Sequence, residues 1–414
     1  MNEVYGISAP QTLQATIHLP ASKSISNRAL VLRALAQGSQ PIENLADCDD
    51  TLVIIKAFEV KKELVDIKAA GTAMRFLTAY YSTVPESHIL TGTDRMKQRP
   101  ISILVDALRA LGAQIEYVAQ NGFPPLRISG RQLHSAALTL PGNVSSQYIS
   151  ALLMIGATLP QGLTLKLMGN ITSLPYIDMT LQLMHDFGAK ANRDNASNPM
   201  TISVEPGGYQ DIPYIIENDW SAASYWYEMV ALSQDGQASI TLPHLKRISS
   251  QGDCLVAELF KQLGVQTEFT AKGIRIFREG EVCQRFDYNF VEIPDLAQTF
   301  TVTCCLLGIP FRFTGLHTLR IKETDRISAL INELHKLGYV LHAEGDDVLQ
   351  WDGEKCQPEP EPIITTYDDH RMAMAFAPAS LRLPLIKIEH PEVVTKSYPH
   401  FWEDLASAKF MIDD

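Results

Sequence analysis

Arg320-Ile321-Lys322-Glu323-Thr324-Asp325-Arg326 runs directly into Ile327-Ser328-Ala329-Leu330-Ile331-Asn332-Glu333-Leu334, and Leu337-Gly338-Tyr339-Val340-Leu341-His342 follows. Two cations, two carboxylates and a hydroxyl fill the positions from Lys322 to Arg326. The apolar spacing from Ile327 predicts an amphipathic helix, so these charges fall at a strand end and in the helix's first turn. A helix start carries unpaired N–H groups and partial positive charge, which suits an anion. Lys322 and Arg326, at i and i+4, are expected on one face of that turn. The same residues also make an ordinary capped start, with Thr324 as N-cap and Asp325 answering the dipole. Gly338 then fits a left-handed C-cap that turns the chain back into a strand.

This pattern of helix, Leu-Gly or Phe-Gly and alternating strand recurs. The copies cover 104–117, 181–191, 255–268 and 330–342, with Gly112, Gly188, Gly264 and Gly338 spaced by 76, 76 and 74 residues. A second series lies between them, in which a polar cluster leads into a helix of small and apolar residues. Its members are Ser24, Thr72, Ser146, Ser221, Asp295 and His370, spaced by 48, 74, 75, 74 and 75 residues. A fixed period of this length implies six copies of a two-helix α/β module. The short first interval predicts a first module lacking a helix or a strand pair. The last module is cut short, and the N-terminus, with Thr16-Ile17-His18-Leu19 as a strand, is expected to complete it. Two domains of three modules follow: residues 20–218 form an N-terminal domain, and 1–19 with 219–414 a C-terminal one. The helices of the second series are weakly amphipathic and are expected to be buried on most sides.

Composition narrows the class. A chain of 414 residues with 46% hydrophobic and 20% charged residues can build two full cores. The net charge of −12 disfavours a nucleic-acid partner. The beginning Met1-Asn2-Glu3-Val4-Tyr5-Gly6 has no signal-peptide pattern, and no apolar run is long enough to span a bilayer. Cys48, Cys254, Cys283, Cys304, Cys305 and Cys356 show no metal-ligand spacing and read as thiols of a reducing cytoplasm.

Although the chain is acidic overall, its helix starts are basic. Lys23, Arg28, Arg75, Arg99, Lys322, Arg326, Arg371 and Lys396 gather there, which focuses positive charge on a small anion carrying phosphates or carboxylates. Taken singly, Ser24, Ser145-Ser146-Gln147 and Asp295 are equally plain helix caps, Gly71-Thr72 a packing contact, and Ser173 with Tyr176 a turn around Pro175. Asp368-Asp369-His370-Arg371 could be a surface turn, but it leads into the apolar Met372-Ala373-Met374-Ala375-Phe376. The shared spacing favours the converging, anion-binding reading.

Five motifs carry a resemblance. Lys23-Ser24-Ile25-Ser26-Asn27-Arg28, Gly71-Thr72-Ala73-Met74-Arg75, Arg95-Met96-Lys97-Gln98-Arg99-Pro100, Lys322-Glu323-Thr324-Asp325-Arg326 and Asp369-His370-Arg371-Met372-Ala373-Met374 resemble, nearly end to end, the 5-enolpyruvylshikimate-3-phosphate synthase family of enolpyruvyl transferases. The resemblance implies a two-domain inside-out α/β barrel of six βαβαββ modules, three per domain, with the active site in the cleft between domains. It implies transfer of the enolpyruvyl group of phosphoenolpyruvate to the 5-hydroxyl of shikimate 3-phosphate, by addition and elimination, with release of phosphate. The pathway would be the shikimate route to chorismate and the aromatic amino acids, and the enzyme a cytoplasmic monomer and glyphosate target. No metal or organic cofactor and no nucleic-acid or membrane partner is implied.

By the same resemblance Lys23, Ser24, Arg28, Ser145, Ser146, Gln147, Ser173, Tyr176, Asp295 and Lys322 would hold shikimate 3-phosphate. Lys23, Gly71, Arg99, Gln147, Arg326, Arg371 and Lys396 would hold phosphoenolpyruvate. Asp295, Glu323, Lys23 and His370 would be catalytic, with Asp295 taking the hydroxyl proton and Glu323, helped by Lys23, handling the proton at the methylene carbon. Three positions depart from the family pattern: Ala69 and Thr318 stand where it has Asn, and Leu174 where Lys is common. A sister family that uses a UDP-sugar acceptor usually has a reactive cysteine before an Arg-Pro, and residues 91–100 contain none. A ring-shaped DNA clamp would spread its cations along helix flanks rather than gather them beside carboxylates.

Overall fold

The computed structural model describes residues 3–59, 62–135 and 137–413, so the terminal Met1, Asn2 and Asp414 lie outside it. The chain forms two compact units: Ala21–Ile216, the amino-terminal domain, and Met1–Pro20 with Glu217–Asp414, the carboxy-terminal domain. Each has its own hydrophobic core and three β-sheets. Each is half of a two-domain inside-out α/β barrel fold, with helices inside and sheets outside.

The helices that follow the polar clusters are the inner ones. They are Lys23–Leu35, Gly71–Thr83 and Ser146–Gly156 in the amino-terminal domain. In the carboxy-terminal domain they are Trp220–Leu232, Ala297–Leu307 and His370–Phe376. Every residue of His370–Phe376 is buried, as is all of Trp220–Leu232 except Ser221. A helix walled in on all sides needs no polar face, and this explains the weak amphipathicity of these segments. The outer helices differ. Arg326–Lys336 buries Ile327, Leu330 and Leu334 at helical spacing and leaves the opposite face to solvent.

The complete modules share one strand plan. Leu64–Asp66 lies parallel to Ser87–Thr91, which pairs antiparallel with Leu126–Ser129, and Gln114–Tyr117 closes the edge. Gly112, Gly188, Gly264 and Gly338 all have positive φ, between 78° and 94°, so each outer helix turns into its strand through a left-handed residue. In the third copy the expected helix is broken into the short turns Gly252–Leu255, Val256–Leu259 and Phe260–Gln262, and Gly264 lies at a register shift within the strand Leu263–Thr270.

The N-terminal strand differs from the sequence reading. Gln14–Thr16 runs parallel to Ser239–Pro243 and supplies the first strand of the fourth module, not the last. Val4–Ser8 completes the sixth, between Ile386–Glu389 and Met411–Asp413. The first module keeps only Ile42–Glu43, paired with Tyr214–Ile215, so strands account for most of its missing length.

Candidate active site

In the amino-terminal domain the inner helix starts carry the candidate residues. Ser22, not Ser24, caps Lys23–Leu35, accepting from the Ile25 amide; the Ser24 carbonyl accepts from Arg28 Nη1 at 2.9 Å. Lys23 Nζ lies 3.2 Å from the buried Asp50 Oδ2. Arg28 is 2% exposed and donates to Thr180 Oγ1 at 2.7 Å and to Ser150 Oγ at 3.2 Å. Its guanidinium also packs near the rings of Phe76 and Tyr176. No acidic side chain pairs with it among the described residues, and burial lowers its pKa to about 10. A buried guanidinium held by hydroxyls and carbonyls, with no carboxylate, is an attractive site for an anion.

The second helix start is bare. Ala70 caps Gly71–Thr83 with no side-chain bond, and the Arg99 guanidinium lies against Gly71. A Cβ on Gly71 would stand 2.6 Å from Arg99 Nη1. The Arg99-Pro100 segment is tied down by its Pro100 carbonyl, which accepts from Tyr148 Oη at 2.5 Å and from Arg75 Nη2 at 3.3 Å. The buried Arg99 Nε has no hydrogen-bond partner among the described residues. Gln147 Nε2 donates to Thr72 Oγ1 at 3.1 Å and so joins this start to that of Ser146–Gly156, which Ser145 caps by accepting from the Gln147 amide. Ser146 is buried behind that cap. Ser173 adopts a left-handed conformation (φ 53°) and makes no capping bond, and Tyr176 lies one turn into the helix that it begins. Uncapped N–H groups beside a fixed cation can receive phosphate or carboxylate oxygens.

The carboxy-terminal domain holds a denser cluster. Asp295 Oδ1 accepts from Arg326 Nη1 at 3.1 Å and lies 3.4 Å from Lys322 Nζ, while Oδ2 accepts from Arg371 Nη2 at 3.0 Å. Arg326 is 1% exposed; its Nε donates to Asp369 Oδ2 at 2.7 Å and its Nη2 to Glu323 Oε2 at 3.0 Å. Glu323 Oε1 lies 2.9 Å from Lys396 Nζ, and Arg371 Nη1 donates to Tyr225 Oη at 3.2 Å. Three carboxylates thus share four cations. Burial works to raise the Asp295 pKa, but Arg371, Lys322 and Arg326 together hold it well below the usual carboxylate range. Burial lowers Lys322 despite the Asp295 charge. Burial opposes the charge of Arg326, yet Asp369, Glu323 and Asp295 raise its pKa.

Local geometry departs from the sequence reading at two points. Lys322 is not in the helix but in extended backbone after the 3-10 turn His317–Ile321, so it meets Arg326 at Asp295 rather than along a shared face. The cap is Asp325, not Thr324: its carboxylate accepts from the Ser328 amide and from Arg320. Asp295 is no isolated carboxylate, since it gathers three cations. His370 is buried with Nδ1 3.6 Å from Asp369 Oδ1, at the start of a helix that Asp369 caps.

Sequence reasoning missed Asp50, Ser150, Thr180, Tyr225 and the anchoring role of Asp369. The acidic run Asp47-Cys48-Asp49-Asp50 was a signal for the first. Thr180 stands one turn beyond Tyr176 and accepts from a residue 152 positions away, a pairing that no local pattern encodes.

Arginines and lysines gathered with carboxylates around the inner helix starts define an anion-binding protein of the inside-out α/β class. The family profile described as EPSP synthase (3-phosphoshikimate 1-carboxyvinyltransferase) matches residues 7–61 and 54–405, and the chain belongs to that family. A 3-phosphoshikimate 1-carboxyvinyltransferase of Bacteroides fragilis is 59% identical over 99% of this chain and 98% of its own length. One from Vibrio cholerae serotype O1 is 35% identical over 96% of this chain and 97% of its own. Among solved structures, the EPSP synthase of Acinetobacter baumannii superposes with a TM-score of 0.78 at 22% identity, covering 99% of this chain and all of that one. The enolpyruvyl transferase NikO of Streptomyces tendae gives 0.74 at 17% identity, covering all of this chain and 99% of that one.

Proposed function

We infer that this chain is an enzyme that transfers the enolpyruvyl group of phosphoenolpyruvate to the 5-hydroxyl of shikimate 3-phosphate, releasing phosphate, in aromatic biosynthesis. Membership of the family and the 59% identical relative support the activity. The assignment of residues is our own reading. The observation that carries it is Asp295 held by Lys322, Arg326 and Arg371 at one helix start.

In this reading the two domains' clusters act on one pair of substrates in the cleft between the domains. Lys23, Ser24, Arg28, Ser145, Ser146, Gln147, Ser173, Tyr176 and Lys322 bind shikimate 3-phosphate. Gly71, Arg99, Gln147, Arg326, Arg371 and Lys396 bind phosphoenolpyruvate. Its phosphate and carboxylate take over Arg326 and Arg371 from Asp295, and the freed carboxylate becomes basic enough to accept the 5-hydroxyl proton. The hydroxyl oxygen bonds to C2 of phosphoenolpyruvate while Glu323, with Lys23, delivers a proton to C3. Loss of a proton from that methyl group then expels phosphate, whose charge the surrounding cations stabilise. His370, with Nδ1 3.6 Å from Asp369 Oδ1, stands at the edge of this chemistry. The six free cysteines support a cytoplasmic setting. No helix among the described residues is long and apolar enough to cross a membrane.

The test is to mix the protein with both substrates and follow phosphate. One phosphate released per enolpyruvyl product, and none without shikimate 3-phosphate, is expected. Absence of release with both substrates, or release with phosphoenolpyruvate alone, would refute the activity.

A further inference from the structure

Of the six inner helix starts, the one at Trp220 takes no part in the reading above. Ser221, in its first turn, donates to Asp253 Oδ2, across from the 3-10 turn Gly252–Leu255. Asp253 is 3% exposed, and its other oxygen, Oδ1, is buried with no hydrogen-bond partner among the described residues. The charges that act on it come from three neighbouring elements. Asp295 stands on the turn Pro294–Leu296, Arg371 on the helix His370–Phe376, and Asp219 at the cap of Trp220–Leu232. Arg371 is also a direct partner of Asp295. A second carboxylate is thus buried beside the Asp295 cluster, in the field of Arg371 but held only by Ser221.

We propose that Asp253 is a positioning residue for the transfer: it takes up a proton from solvent as phosphoenolpyruvate binds, and so removes a buried negative charge that would oppose the incoming anion at Arg371. The balance is simple, since one proton passes from water to a carboxylate and no covalent bond in the substrate changes. Burial first, then the charge of Asp295, raises the Asp253 pKa to about 7, against the pull of Arg371 and the Ser221 hydroxyl. The acid is therefore about half ionised near neutrality before the anion binds. An anion on Arg371 removes that residue's favourable field and adds a like charge, and both effects drive the carboxyl to its neutral form. Asp253 touches no reacting atom. It acts through Arg371, and the inference rests on the assignment of Arg371 to phosphoenolpyruvate.

Ligand binding that requires the protonated form weakens as the ionised fraction grows. From about pH 6 to about pH 8 this predicts a rise in KM for phosphoenolpyruvate of roughly tenfold. The experiment measures that KM across the range, with shikimate 3-phosphate saturating, for wild type, Asp253→Asn and Ser221→Ala. Ionisation of the substrate's own phosphate is common to all three and cancels in their ratios. Asp253→Asn, always neutral and still able to accept from Ser221, is expected to match wild type near pH 6 and to bind about tenfold better near pH 8. Ser221→Ala removes a donor that favours the ionised carboxylate, so its rise in KM should begin at higher pH. Parallel profiles for all three proteins would overturn the proposal. So would a KM raised equally at every pH in Asp253→Asn, which is what a purely structural role gives. Asp295→Asn is assayed alongside: retained turnover there refutes the site reading itself, whatever Asp253 does.

Discussion

Gly71→Ala puts a methyl group where the structure has an arginine. The nearest atoms to the new Cβ would be Arg99 Nη1 at 2.6 Å, Nη2 at 3.0 Å and Cζ at 3.1 Å, and no backbone or helix-packing atom comes first. Gly71 has no positive φ, so alanine itself fits the backbone, and in a helix it gains up to about 1 kcal/mol over glycine. What must move is the end of a flexible side chain. Arg99 can swing away at little conformational cost, but it then leaves the bare helix start where its charge stands beside the uncapped N–H groups. A charge-assisted contact of this kind contributes roughly 1.5–3 kcal/mol, so the KM for phosphoenolpyruvate should rise about 10- to 100-fold. The melting temperature should be unchanged or slightly higher. Steady-state kinetics with shikimate 3-phosphate saturating, together with a thermal melt, checks both. A lower melting temperature beside an unaltered KM would show that Gly71 serves helix packing alone, and would refute the argument.

Asp295→Asn should lower kcat by roughly 10²–10⁴-fold while shikimate 3-phosphate still binds, because the general base is lost; turnover within about threefold of wild type would remove Asp295 from the mechanism. Arg28→Lys cannot reproduce the bonds to both Thr180 and Ser150, so the KM for shikimate 3-phosphate should rise about tenfold or more. An unchanged KM would assign Arg28 to the core instead. Asp253→Asn should also alter stability with pH. A carboxyl raised in the folded state binds more protons folded than unfolded, so stability falls as pH climbs from the unfolded value near 4 to about 7. The asparagine escapes that loss. Chemical denaturation should show it more stable than wild type by up to about 4 kcal/mol near pH 8, and no more stable near pH 4. Equal curves at both would mean that the carboxyl is not held neutral.

The fold was legible because, after a short first interval, its inner helices recur at a period the chain keeps to within one residue, and each begins with a polar cluster. Burial of those helices explains why they lack an amphipathic signature, and the left-handed glycines show why Leu-Gly marked each turn. What stayed hidden was non-local. Val4–Ser8 and Gln14–Thr16 are two short alternating strands close in sequence, yet they serve different modules, the sixth and the fourth. Nothing in their residues says which partner each one takes. At the site, the cations and carboxylates were visible as types, but their pairing was not. Asp295, Lys322 and Arg371 meet across 27 and 76 positions. Asp325 took the capping role from Thr324 because its carboxylate also engages Arg320, an interaction that depends on the turn His317–Ile321.

The Asp295 cluster also bears on how one carboxylate can be both an anchor and a base. It neutralises three cations that would otherwise repel one another in a buried space, and the same contacts make it a weak base. A substrate with two anionic groups changes both conditions at once. In the proposed reading it supplies the charge that Asp295 was supplying, and so returns basicity to Asp295 beside the hydroxyl that must lose its proton. In the proposed assignment basicity thus depends on correct occupancy: the carboxylate stays clamped by its three cations until phosphoenolpyruvate releases it. Glu323, shared between Arg326 and Lys396, is open to the same exchange. A ligand that occupies only one of these cations should free neither carboxylate fully. On this argument, removing either anionic group of phosphoenolpyruvate lowers kcat as well as affinity.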